Sequence, residues 1–218
     1  MENIFVLLKN LVISKGNIIG ISGMDTSGKT TFAAGFADYM RSLGYKVQLI
    51  HIDDFHNPKA IRRASDNLVD AYWHKAFNYQ LLIDEILEPL KNGKRVNKTL
   101  SLLNLQTDQY DLEVKFEIDS ETIVIIEGIL LFRPTLNHFF NSRIFIDVDF
   151  NVVLERAKKR DVPILGEEIL ESYRTKYFPN YQRYLKEFDP MNISDIVIDN
   201  NDYNKPEILK KPLTTTSK

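Results

Sequence analysis

Eight consecutive residues, Gly23-Met24-Asp25-Thr26-Ser27-Gly28-Lys29-Thr30, carry the spacing Gly-x-x-x-x-Gly-Lys-Thr. Residue types in this order suit a polyphosphate. The glycines admit backbone angles and close approaches that a Cβ forbids, so successive N–H groups can converge on an anion. Lys29 can reach the outer phosphates, and the Thr30 hydroxyl can ligate Mg²⁺. Asp25, Thr26, Ser27 and Thr31 fill out the nucleotide-contacting stretch, and the expected ligands are ATP and Mg²⁺. Two acids stand elsewhere at the ends of apolar, β-prone runs. Asp53 lies in His51-Ile52-Asp53-Asp54-Phe55-His56, and Glu127 in Ile125-Ile126-Glu127-Gly128-Ile129. An acid in the first position can orient or deprotonate an attacking hydroxyl, although acids at strand ends also cap helices. An acid in the second is where a phosphate-loop protein holds Mg²⁺ through water. His51, Asp53 and His56 also have the makings of a metal cluster, a reading that the phosphate loop displaces.

Such residues need a scaffold. Asn17-Ile18-Ile19-Gly20-Ile21-Ser22 reads as a strand running into the glycine loop, and the apolar spacing at 32, 33, 36, 37 and 40 predicts the helix that follows. Strand, loop and helix in that order are the context of a P-loop. Strands are expected at 46–52, 122–126, 143–148 and 195–198. Helices are expected from Phe77 to Leu90, over about 150–160 and over 167–186, with a break near Pro179. The unbroken β-branched run 122–126 marks a central parallel strand covered on both faces. Two β-prone runs within 96–118 predict an inserted hairpin. The alternation implies an α/β, three-layer doubly wound fold of the P-loop NTPase type, with a mainly parallel five-stranded sheet and ligands at the strands' carboxyl ends. Residues 1–205 read as one domain with a short lid at about 156–170, and 206–218 as a tail, disordered over 210–218.

A Glu-Gly pair after the buried strand, rather than Asp-Glu or Asp-x-x-Gly, favours a small-molecule kinase over a motor ATPase, and the lack of an Asn-Lys-x-Asp segment argues against a GTPase. The segments Ile21-Ser22-Gly23, Gly28-Lys29-Thr30-Thr31, Asp53-Asp54-Phe55-His56, Ala76-Phe77-Asn78, Glu127-Gly128-Ile129-Leu130 and Arg156-Ala157-Lys158-Lys159-Arg160-Asp161 together resemble the uridine kinase family. That family is grouped with phosphoribulokinase and bacterial pantothenate kinase. The resemblance runs in order from about residue 18 to 200. It implies transfer of the γ-phosphoryl of ATP to a primary hydroxyl, with Asp53 as base, Glu127 as the Mg²⁺-associated acid and Arg156 and Arg160 as lid arginines; Thr30, with Asp53 and Glu127 through waters, is expected to position Mg²⁺.

Three departures bear on the acceptor. Tyr72 stands where many uridine kinases carry an acid that grips the ribose diol, His56 replaces a tyrosine, and the lid lacks an Arg-Gly-Arg run. Arg174, Lys176 or Arg183 could substitute in the lid. Tyr72, Trp73 and Phe77 could stack on a planar substrate or pack in the core, and Arg133 could meet the substrate or open a helix before Pro134. Asn200, Asn201 and Asp202 form a polar turn on which adenine could rest. A nucleoside is the first acceptor considered, with pantothenate or nicotinamide riboside as alternatives. A P-loop ATPase and a nucleotide-binding regulatory protein stand as rival classes.

Composition sets the outer limits. The chain has 218 residues and is 44% hydrophobic, enough for one α/β core. A formal net charge of −2 gives no electrostatic reason to expect nucleic acid or an acidic membrane. The absence of cysteine removes disulfides and thiol chemistry, which fits a cytoplasmic setting. The apolar N-terminus lacks a basic start and a cleavage site and is expected to form an amphipathic helix packed on the sheet. Self-association is left open by the sequence.

Overall fold

The computed structural model describes residues 2–210. Seven strands and a final short one are β1 (Ile18–Gly23), β2 (Val47–His51), β3 (Val96–Asn104), β4 (Gln109–Ile118), β5 (Ile123–Gly128), β6 (Ser142–Asp147), β7 (Ile196–Asp199) and β8 (Glu207–Lys210). The main sheet has the order β2-β5-β1-β6-β7-β8. Every pairing in it is parallel except β7 with β8. It therefore has six strands rather than the expected five. The sixth comes from Glu207-Ile208-Leu209-Lys210, which the sequence reading assigns to the tail. The expected disorder over 210–218 otherwise lies outside the described residues.

β1 and β5 are buried at every position, which is why they read as continuous apolar runs: helices cover both faces of a parallel sheet. On one face lie the N-terminal helix Glu2–Lys15 and the helix Lys29–Ser42. Phe5 packs its ring 5.4 Å from that of Phe32 and 5.7 Å from those of Phe36 and Tyr39. The opposite face carries a second core built from Trp73, Leu82, Phe145, Val153, Tyr181 and Tyr184. Burying each large side chain of this kind is worth about 1.5–3 kcal/mol.

β3 and β4 form the expected hairpin as a separate antiparallel pair. Its Phe116 packs on Phe55 with ring centroids 6.4 Å apart, so it props the segment that carries Asp53. Two expected helices are less regular than their periodicity suggests. Tyr79–Leu82 and Glu88–Lys91 are joined by a π-turn at Ile83–Leu87, and Glu168–Ser172 and Phe178–Phe188 by another at Tyr173–Tyr177. Pro179 does not break the path as expected: Tyr177 and Phe178 before it keep right-handed helical angles, and the wide turn Tyr173–Tyr177 lies where a proline N–H is missing from the helical ladder. No helix among the described residues is long and apolar enough to cross a membrane.

Candidate active site

β1 ends at Gly23 and the loop turns into the helix through Gly28, which has φ +89° at the N-cap. A side chain there would be strained, and its Cβ would lie 2.6 Å from Asn200 Nδ2. Asn200 approaches this closely because its amide donates to the Ser27 carbonyl at 2.6 Å. Arg156 reinforces the same loop. Its guanidinium donates to the carbonyls of Thr26 (3.2 Å), Ser27 (3.4 Å), Asn200 (2.6 Å) and Asn201 (3.1 Å). The Thr26 hydroxyl donates to the Val153 carbonyl at 3.1 Å. Side chains thus occupy the loop's carbonyls from outside, while the first-turn N–H groups of the helix have no intrahelical partner and are free for an anion. Arg156, expected in the lid, is a buttress of the loop in this structure. Four main-chain acceptors hold it there.

The acids arrive on neighbouring strands. The β2–β5 register sets His51 directly opposite Glu127. Glu127 is buried, and its Oε1 accepts from the Thr30 hydroxyl at 3.1 Å and lies 2.7 Å from His51 Nδ1. That hydrogen bond is the main cause of a raised His51 pKa, with burial opposing it. Glu127 Oε2 is buried without a partner. His51 is thus a site residue that spacing does not reveal, since register is set only when two distant strands pair. Next to it, Gly128 has a specific reason to be glycine. A Cβ there would stand 1.9 Å from Ile52 Cγ2. Its absence lets the short helix Ile52–Phe55 press against β5 and hold Asp53 at the strand end.

Among the described residues no three His or carboxylate groups converge on a cation. Thr30 and Glu127 nevertheless suit Mg²⁺ that is shared with a triphosphate. Both offer hard oxygen donors, and one buried carboxylate oxygen lacks a partner.

Beside the loop opens a cleft of about 550 Å³, lined among others by Asp25, Asp53, His56, Arg62, Tyr72, Arg160, Lys176 and Tyr177. His56 Nδ1 sits 2.7 Å from the Asp53 carbonyl oxygen, an acceptor, so this nitrogen carries the proton. Burial lowers the His56 pKa. Burial also raises Tyr72 well above its ordinary value and Tyr177 to about 12. Arg160 faces the cleft and pairs with Asp161 at 2.5 and 3.0 Å, while Tyr173 donates to the same carboxylate at 2.7 Å. Arg62 and Arg63 were not anticipated from sequence. They reach the cleft from the irregular segment after β2.

Three expected substrate residues lie elsewhere. Trp73 is buried between two guanidiniums, those of Arg133 and Arg183, each 4.2 Å from its ring. Arg133 also donates to the Trp73 carbonyl at 2.8 Å, so cation–π packing accounts for both residues. Arg174 is exposed in the wide turn Tyr173–Tyr177, 3.7 Å from Glu171. Gly23, Asp25, Thr26, Ser27, Gly28, Lys29, Thr30 and Thr31 fall on the loop and helix start as expected, and Lys29 is buried there.

Comparison with known proteins agrees with this geometry. The model of the Phosphoribulokinase / Uridine kinase family matches residues 18–205. The uridine kinase of Ligilactobacillus salivarius (strain UCC118) is 24% identical over 200 residues, covering 89% of this chain and 90% of the relative. Uridine-cytidine kinase A of Dictyostelium discoideum is 33% identical over 189 residues, which cover 79% of this chain and 35% of that longer protein. Among solved structures, a possible uridine kinase from Bacillus stearothermophilus superposes with a TM-score of 0.70 at 21% identity, covering 90% of this chain and 99% of that one. The phosphate cradle, the two strand-end acids and a match over nearly the whole sheet have one common explanation: the chain belongs to the phosphoribulokinase / uridine kinase family and is an ATP-dependent kinase that phosphorylates a hydroxyl group.

Proposed function

We propose that the hydroxyl belongs to a nucleoside and that Asp53 accepts its proton. The observation that carries this reading is that Asp53 lines the cleft and follows the strand next to the one that carries Glu127 and its Thr30 contact. The uridine kinases among the relatives supply the nucleoside. The Tyr72 and Tyr177 rings, packed edge to face with centroids 5.2 Å apart in the cleft lining, offer aromatic surface to a planar base.

In the proposed reaction the loop N–H groups and Lys29 hold the β- and γ-phosphates. The acceptor oxygen attacks the γ-phosphorus as the bond to the β–γ bridging oxygen breaks. The hydroxyl proton passes to Asp53, and ADP leaves. Thr30, with Asp53 and Glu127 through water, would hold Mg²⁺, which would supply neutralising charge beside the phosphates. Arg160 stabilises charge on the transferring group when the segment around 156–170 closes as a lid. Arg156 contributes indirectly, by fixing the loop. Asp53→Asn is expected to lower kcat by about 10²–10⁴-fold, the usual contribution of a positioned base, with the dissociation constant for MgATP unchanged. Turnover near that of the unaltered enzyme removes Asp53 from the mechanism. A screen of nucleosides, pantothenate, nicotinamide riboside and sugar alcohols for ATP-dependent phosphorylation tests the acceptor class.

A further inference from the structure

Arg160 and Asp161 are neighbours in sequence, yet their side chains form a two-point fork. Arg160 Nε donates to Asp161 Oδ1 at 2.5 Å and one of its Nη atoms to Oδ2 at 3.0 Å. Successive residues of a helix do not face each other, so the fork is not a by-product of helix geometry. It forms where the helix Phe150–Arg160 stops. The Asp161 carbonyl there accepts from the N–H groups of Ile164 and Leu165 as the chain turns into the lid.

A third group holds the carboxylate. The Tyr173 hydroxyl, from the far end of the lid, donates to Asp161 Oδ2 at 2.7 Å. Tyr173 is 2% exposed and Asp161 8%. Ring contacts with Tyr177 at 5.2 Å and Phe178 at 5.9 Å hold the Tyr173 side chain. Burial keeps its phenol far above the ordinary pKa, so the oxygen carries a proton to donate. Arg160, by contrast, has a side chain more than half exposed. The carboxylate is thus aimed by the buried tyrosine, and the arginine takes its direction from the carboxylate. Arg160, Asp161 and Tyr173 all line the cleft that holds Asp53. The fork occupies Nε and one Nη, and the other Nη has no hydrogen-bond partner among the described residues.

We propose that Asp161 and Tyr173 are positioning residues for Arg160: their contact clasps the two ends of the lid and presets the guanidinium, so that its free Nη meets the transferring phosphoryl group without a search among side-chain rotamers. A bidentate pair fixes direction as well as adding energy, and a long side chain left loose has rotamer freedom to lose at the moment of reaction. The inference rests on the role given to Arg160 in the reaction above and adds the groups that make that role possible.

Chemical rescue tests it, with MgATP and the acceptor that the screen identifies. Arg160→Ala is expected to lower kcat by about 10²–10³-fold, the usual cost of removing one group that stabilises transition-state charge. Guanidinium chloride, kept well below the unfolding midpoint of each variant, is expected to restore kcat roughly tenfold or more, because the clasp still offers the fork its site. In Arg160→Ala/Tyr173→Phe and Arg160→Ala/Asp161→Asn the same salt is expected to restore less than about twofold, since the carboxylate has lost its aim or its charge. With Arg160 intact, Tyr173→Phe keeps the ring and removes only the hydroxyl. It is expected to lower kcat by about tenfold and to leave the KM values for ATP and acceptor within about twofold, a split that general loosening of the lid does not give. Circular dichroism and melting temperature report whether each variant is folded. Unchanged kcat in Tyr173→Phe overturns the proposal, and so does rescue that is absent in Arg160→Ala or equal with and without the clasp. Normal turnover in Arg160→Ala itself removes the role given to Arg160 above, and the inference falls with it. If the unaltered protein phosphorylates no hydroxyl compound, both fall.

Discussion

Glu127 carries two contacts on one carboxylate oxygen and none on the other, and this asymmetry has a measurable consequence. His51 and Thr30 hold Oε1 in place, while Oε2 is buried without a partner. The His51 ring gains a carboxylate partner on folding, which raises its pKa above the ordinary value of about 6.5. The sign follows by linkage. The stabilisation is fully present below the unfolded value and is lost as pH rises through the raised folded value. The difference in melting temperature between the unaltered protein and His51→Ala is therefore expected to be largest in mildly acidic buffer and to shrink as the solution becomes alkaline. A difference that is constant across that range shows that the ring contributes packing alone. Metal dependence gives an independent readout, because groups that orient a metal's ligand typically alter its affinity by about 10–100-fold.

Among the elements, the tight crossing of β5 under the short helix Ile52–Phe55 is the joint that sets Asp53. Gly128→Ala places a methyl group against Ile52 Cγ2 and is expected to cost about 1–3 kcal/mol as an overpacked site. The same change should lower kcat by displacing Asp53. Adding Ile52→Ala removes the clashing atom, so the double variant is expected to recover activity relative to Gly128→Ala. A double variant no better than the single one locates the damage elsewhere. This joint also shows where sequence reading succeeds and stops. The phosphate loop was legible because its chemistry lies within eight consecutive residues, and β5 because a strand buried on both faces must be apolar throughout. The pairing of His51 with Glu127 was not, since it requires a register between residues 76 apart. Asn200 was noticed as part of a polar turn suited to adenine, whereas its amide holds the loop at Ser27. β8 gave little warning, being four residues long and only partly buried. The helical periodicity of 167–186 was correct in type but could not show that Tyr173–Tyr177 adopts a wider turn.

Across the whole molecule, chemistry and cohesion are divided between the faces of the sheet. The face carrying Phe5, Phe32 and Phe36 contains none of the cleft-lining residues. Phe5→Ala is expected to destabilise the protein by about 3 kcal/mol through the cavity it leaves, measured by denaturant unfolding, with kcat/KM unchanged wherever the variant remains folded. A loss of kcat/KM in the folded variant shows that the two faces communicate. The clamp on the nucleotide loop has a different implication, for the order in which the protein matures on the ribosome. β1 takes its partners from β5 and β6, and the loop is braced by Arg156 and finally by Asn200. A nascent chain that has exposed only its first hundred residues thus displays the whole Gly-x-x-x-x-Gly-Lys-Thr signature without the structure that shapes it. The side-chain contacts that brace the loop from outside therefore become available only once residues 156 and 200 have emerged.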